Sequence, residues 1–227
     1  MTSTPASPLT LNLPTMPDVI GLVGFPGSGK DTLAEQLVSR GDWKRVAFAD
    51  ALKDAFLLAR PWRTVDGQVV PVSTREELED WKRGSDEARR ALQDYGMFFR
   101  NLNPYIWVFA AGDTISGYLE DGFNVIVTDI RFKNEAIQVR ELDGQIVHLQ
   151  REGHGAVNDH ISESNTAELI KGADWTLTNS GDGSDLADQL LAWLKPEQSP
   201  EHKQAIMDSR AALKELVDEL FEEVDRC

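Results

Sequence analysis

Cysteine is nearly absent from this chain of 227 residues: the only one, Cys227, is the last residue. A single thiol forms no intrachain disulfide, which excludes a disulfide-stapled scaffold and points to a reducing compartment, the cytoplasm. Also missing is any run of about 18 or more apolar residues, so no membrane span is expected. The opening "MTSTPASPLTLNLPTMP" has neither a basic start nor a continuous apolar stretch, and so does not read as a secretory signal. Its Thr, Ser and Pro content predicts a flexible leader over residues 1–17, with folding starting near Asp18. Basic residues are in deficit, with 23 Lys and Arg against 38 Asp and Glu, a formal net charge of −15 and a pI near 4.6. That field repels nucleic acid polymers at long range, so neither a DNA nor an RNA partner is expected. A small phosphorylated substrate is still compatible, provided that Lys and Arg converge locally against the global charge. No internal repeat, Ser-His-Asp order, zinc-type Cys/His spacing or flavin signature is found. The Asn-Lys-x-Asp pattern of guanine-reading switches is missing too.

What the chain does contain is enough apolar residue, 41%, to bury one substantial core. Apolar runs alternate with helix-like segments. "DVIGLVG" (18–24) reads as a buried strand and "KDTLAEQLVSR" (30–40) as an amphipathic helix. "RVAFA" (45–49) reads as a short strand, followed by a helix over 50–59 with Asp50 as its expected cap. In "RTVDGQVVPV" (63–72) an Asp-Gly pair between β-branched residues predicts a hairpin. The next segment, 73–84, opens with a capping-box pattern, Ser73 with Glu76 or Thr74 with Glu77. Helices are expected over about 85–101 and 104–119, then strand 123–129, helix 134–142, strand 145–150, strand 174–179 and helix 184–194. Residues 196–227 read as an acidic helical tail. Strands separated by helices predict an α/β fold, a three-layer parallel sheet covered on both faces.

Gly24-x4-Gly29-Lys30 follows the first strand and opens the first helix. Glycines there let backbone N–H groups curl around phosphate oxygens, the helix N-terminus adds a positive end, and Lys30 reaches the β and γ phosphates. The glycines at 24, 27 and 29 do not follow the dinucleotide order G-x-G-x-x-G. Asp31 stands where such loops place Ser or Thr, and Thr32 comes one place later, an offset that resembles the Gly-Lys-Gly-Thr loops of nucleoside monophosphate kinases related to adenylate kinase; that resemblance implies Thr32 as the Mg²⁺-side hydroxyl. Asp31 reads first as a first-turn acid favoured by the helix dipole, with metal or water organisation as the other reading. "VIVTD" ends a buried strand on Asp129, a carboxylate expected to face the Mg²⁺ region. Arg131, and Arg151 after "QIVHLQ", should reach the same C-terminal sheet edge, where open α/β sheets bind ligands.

Together, "GLVGFPGSGKDTLAEQLV", "FADALKDAF", "LQDYGMFFRNLNPYIWV", "VIVTDIRFKNEA" and "DHISES" resemble the deoxynucleoside monophosphate kinases of tailed bacteriophages, over about residues 19–180. The resemblance implies a P-loop, adenylate-kinase-like fold over 18–195, with a monophosphate-binding region at about 62–103 and a lid at about 151–165. The implied reaction moves the γ-phosphate of ATP, with Mg²⁺, to a deoxynucleoside monophosphate in the cytoplasm, the host's for a viral protein. It implies that the loop, Gly24, Pro26, Gly27, Ser28, Gly29, Lys30, Asp31 and Thr32, holds the ATP phosphates. Thr32 and Asp129 would serve the metal, and Lys30, Asp129, Arg131 and Arg151 the reaction. Asp50, Lys53, Arg90 and Gln93 would face the acceptor nucleotide, with Arg100 as a further candidate and Trp107 first read as packing. In the lid, His160 would meet phosphate or brace the loop through Ser162 and Glu163. The turn Asn179-Ser-Gly181 is similar to the place where related kinases seat the donor adenine. The two terminal segments lie outside the resemblance, and a homodimer contact there is left open. Two other readings stand beside this one: another small-molecule P-loop kinase, such as dephospho-coenzyme A kinase, and a nucleotide-dependent switch that transfers to nothing.

Overall fold

A computed structural model describes residues 18–151 and 161–194. The first strand, β1 (Val19–Val23), is buried along its whole length. Side chains alternate across a strand, so its apolar residues must be covered on both sides. Ile20 and Leu22 pack with α1 (Lys30–Val38) through Leu33 and Leu37 and with α8 (Leu186–Leu194) through Leu186 and Leu190. Val19 and Val23 turn to the other face, against Phe48 of α2 (Phe48–Leu58) and Val108, Ala111 and Ile115 of α5 (Ile106–Glu120).

Around β1 lie β2 (Trp43–Val46), β5 (Asn124–Val127), β6 (Gln145–Arg151) and β7 (Trp175–Asn179), in the order β2-β5-β1-β6-β7. Every neighbouring pair is parallel. The result is a three-layer α/β sheet in which β1 runs directly into a glycine loop and a helix, the P-loop architecture. The connection through α6 (Lys133–Glu141) links β5 and β6, which flank β1, so the crevice at the C-terminal ends of β1 and β5 is the expected ligand position.

A smaller unit stands on α2. The hairpin β3 (Trp62–Val65) and β4 (Gln68–Pro71) closes through Asp66 and Gly67, both with positive φ, the two-residue turn that Asp-Gly favours. Then come α3 (Arg75–Gly84) and α4 (Asp86–Leu102). Of the two capping boxes in the sequence, Thr74 with Glu77 forms. Phe56, Val72, Leu78 and Leu92 make a separate apolar cluster that fixes this unit to α2. The remaining helix, α7, spans Ile161–Lys171. Among the described residues no helix is long and apolar enough to cross a membrane.

The structure corrects the boundary between β2 and α2. The strand expected over 45–49 ends at Val46, and α2 starts at Phe48 rather than at Asp50. The cap comes from far along the chain: Asp129 accepts from the Phe48 and Ala49 N–H groups at 2.8 and 2.9 Å. Asp50 instead pairs with Arg45 and Arg75.

Candidate active site

The loop after β1 is shaped by backbone. At Gly24 a Cβ would lie 2.5 Å from the Leu149 carbonyl oxygen. Gly29 has a φ of 106°, in the left-handed region, and a Cβ there would lie 2.7 Å from Nδ2 of Asn179. Only glycine satisfies both demands at position 29. Ser28 is buried, and Asn179 donates to its carbonyl oxygen at 3.0 Å, so the end of β7 braces the loop from behind. Thus Asn179, expected beside the donor base, sits under the loop, and Gly181 is exposed beyond it. Lys30 folds back over the loop and donates from Nζ to the carbonyl oxygens of Gly24 and Phe25 at 2.7 and 2.9 Å. Burial, helped by the nearby Arg131, brings its ammonium down to about 8. Asp31 and Thr32 are exposed in the first turn of α1. Arg151 is half-buried at the tip of β6, in register with Asn179.

The tip of β5 carries the second element. Burial pushes the Asp129 carboxyl above its usual value, against the N–H groups of Ala49 and Phe48 and the charge of Arg131, which favour the anion. Two residues on, the Arg131 N–H donates to Oε2 of Glu135 at 2.8 Å, and the Phe132 N–H does so at 3.1 Å. Burial raises Glu135 to about 7, although Arg100 pairs with its other oxygen.

Two depressions meet at this tip. A small hollow is lined by Gly24, Phe25, Pro26, Lys30, Asp129, Ile130, Arg131 and Thr166. Next to it lies a cavity of about 300 Å³ that has Asp129 and Arg131 in its wall as well. Its apolar lining is Phe48, Leu52, Leu92, Met97, Trp107 and Phe132. Five cations, Lys53, Lys82, Arg89, Arg100 and Arg131, face two carboxylates, Asp129 and Glu135, with Gln93 among them. An excess of positive charge here, in a chain of net charge −15, meets the demand that a phosphate site makes on this sequence. Lys53 and Lys82 are both held by Glu79, at 2.9 and 2.7 Å.

Of the expected acceptor-side residues, the cavity brings together Lys53, Gln93, Arg100 and Trp107, whose indole donates to the Gly96 carbonyl at 3.2 Å. It does not include Asp50, which is held in the ion pairs described above, or Arg90, which is exposed. Arg89 takes the place expected for Arg90: successive helical residues differ by about 100° in direction, and 89, 93, 96, 97 and 100 share the cavity face of α4. His160 lies outside the described residues, as do the side chains of Ser162 and Glu163, the leader 1–17 and the tail 196–227. Sequence reasoning gave no site role to Lys82, Arg89, Glu135 or His148. His148 is buried on β6 opposite Val23, and burial and the charge of Lys30 lower its pKa. For Arg89 the spacing from Gln93 was an available signal; for Glu135 it was the third position of a helix starting just past "TDIR".

No protein-family model matches the chain. A protein of Acanthamoeba polyphaga mimivirus, named "Putative deoxynucleotide monophosphate kinase", is 28% identical over 189 residues, covering 77% of this chain and 94% of its own. Among solved structures, a dephospho-CoA kinase from Campylobacter jejuni is 12% identical, with a TM-score of 0.44 over 80% of this chain and 99% of that one. An APS kinase from Mycobacterium tuberculosis is 14% identical, with a TM-score of 0.36 and the same coverage.

Proposed function

We propose that the chain is a deoxynucleoside monophosphate kinase, transferring the γ-phosphate of ATP to a deoxynucleoside 5′-monophosphate to give the diphosphate and ADP. One observation carries the reading: the glycine-loop hollow and the cation-rich cavity share Asp129 and Arg131 at their common wall. Two phosphorylated molecules, one in each, would meet end to end there. The name of the mimivirus relative supports the same class of acceptor.

Phosphoryl transfer asks for positioning and charge stabilisation more than for covalent help. The loop N–H groups and Lys30 would hold the donor phosphates, with Lys30 leaving the loop carbonyls for phosphate oxygens. Arg131, at the meeting point, would bind the transferring group, and Arg100 the acceptor phosphate. The apolar walls Met97, Trp107 and Phe132, with Gln93, would receive the base. Segment 62–103 would act as the monophosphate-binding unit, and Arg151, with the segment up to 165, as the lid. The hard oxygen donors Thr32 and Asp129 fit Mg²⁺, which keeps most of its waters and takes few protein oxygens. Each Asp129 oxygen that accepts a helix N–H keeps a second acceptor position. When bound, the ion would neutralise charge between the phosphates.

A coupled assay of ADP release over the deoxynucleoside monophosphates, with dephospho-coenzyme A as a control acceptor, tests the reading. Turnover with at least one deoxynucleotide is expected. Silence with all of them, or turnover with dephospho-coenzyme A alone, overturns it.

A further inference from the structure

Glu135 is the third residue of α6 and 1% exposed, yet its carboxylate borders the acceptor cavity. An anion in that position needs compensation. One oxygen accepts the Arg131 and Phe132 N–H groups, fixing the turn that carries Arg131 past the tip of β5. The other accepts from Nη2 of Arg100, in the last turn of α4. Phe132, set by the same turn, places its ring centre 3.9 Å from the Arg100 guanidinium carbon. Arg100 is therefore held along one edge by Glu135 and across one face by Phe132. A planar guanidinium held in these two ways directs its remaining N–H groups. Helix capping accounts for the bonds to the backbone, but not for an arginine brought from another helix that itself lines the cavity.

We propose that Glu135 is a positioning residue of the acceptor site: its carboxylate keeps Arg100 and the turn that carries Arg131 in register, so that Arg100 closes on the phosphate of the acceptor nucleotide while Arg131 faces the transferring group. The proposal rests on the deoxynucleotide kinase reading above. Glu135 touches neither nucleotide; it acts through the two arginines. It ties α4 of the small unit to the strand tip that carries the reaction centre.

The test is a double-mutant cycle of Glu135→Gln and Arg100→Ala, read as KM and kcat for the acceptor and for ATP, beside melting temperature. In Glu135→Gln the amide oxygen still accepts the two backbone N–H groups, but the amide NH₂ meets Arg100 donor to donor. The acceptor KM is expected to rise about tenfold with the ATP KM unchanged, and the double variant to be no worse than Arg100→Ala, since the two share one contact. Losses that add, or a lower melting temperature with an unchanged acceptor KM, overturn the proposal and leave Glu135 a structural residue. Should Glu135→Gln not fold, Glu135→Asp keeps the charge but is one methylene too short to span the backbone N–H groups and Arg100 together; a raised acceptor KM with an unchanged ATP KM supports the proposal and an unchanged acceptor KM overturns it. Wild-type protein inactive on every deoxynucleoside monophosphate overturns the kinase reading and this proposal together. An active wild type with an additive cycle overturns the proposal alone.

Discussion

The two sides of the site are made of different material. In the kinase reading the donor side is a loop of backbone, shaped by glycines within a few residues of one another, with a single lysine folded over it. The acceptor side of that reading is made of side chains from α2, α3, α4, α5, α6 and the tip of β5, brought together only by the fold. A backbone site should tolerate loss of a side chain better than the addition of one. A site of converging charges should fail the other way.

The largest expected effect is at the shared wall. Arg131→Ala should lower kcat/KM by about 10³, the scale of a guanidinium that stabilises a transferring phosphoryl group. It should do so with little change in melting temperature, because the turn is fixed by the Arg131 N–H rather than by its side chain. Full turnover by this variant would remove the basis for the kinase reading.

On the donor side the sensitive change is an addition. Gly29→Ala must hold a left-handed φ, at about 1–2 kcal/mol, and push Asn179 away from the loop. A lower melting temperature and a raised KM for ATP are expected, with the acceptor KM nearly unchanged. Adding Asn179→Ala should relieve the steric part and leave the backbone part. An effect confined to the acceptor KM would show that the two sides are not separate in the way their construction suggests.

Construction also explains what could be read in advance. The strand-loop-helix of residues 19–38, the Asp-Gly hairpin and the capping box of Thr74 with Glu77 were legible because each depends on residues close in sequence. The cap of α2 was not, since Asp129 arrives from about 80 residues away and Asp50 offered a local substitute. Glu135 looked like an ordinary acid in the first turn of a helix; only the packing of α4 against the strand tip makes it the partner of Arg100. Lys82 carries no local sign of facing a cavity, because its direction follows from how α3 sits on α2. Asn179 was legible as a residue near the donor side, but its hydrogen bond to Ser28 needs β7 placed behind the loop.

Burial of Glu135 has an effect of intermediate size that is read as stability. Its folded-state pKa of about 7 lies above the ordinary 4.5, so the folded protein holds this proton more tightly than the unfolded chain. The resulting stabilisation is complete below about pH 4.5 and lost as pH rises to about 7, at most about 3 kcal/mol. Denaturant midpoints of wild type and Glu135→Gln, compared from about pH 5 to pH 8, should therefore show the wild type losing ground as pH rises. Curves that run parallel would mean that Glu135 is ionised throughout.

The smallest effect separates two neighbours on α4. Both side chains are exposed; Arg89 lines the cavity and pairs with Asp86 at 3.0 Å, whereas Arg90 lies outside the cavity lining, with a 3.4 Å approach to the Asp86 carbonyl. Arg89→Ala should raise the acceptor KM by a few-fold, on the order of 1 kcal/mol, because its charge faces the bound nucleotide but is partly screened. Arg90→Ala should change neither KM nor kcat and shift stability by less than about 0.5 kcal/mol, as for an exposed side chain without a buried partner. The family resemblance implies an acceptor role for Arg90, and the helix phase puts Arg89 on the cavity face. If Arg90→Ala alone raised the acceptor KM, α4 would have to turn by about 100° when nucleotide binds, and the cavity face assigned to Gln93 and Arg100 would turn with it.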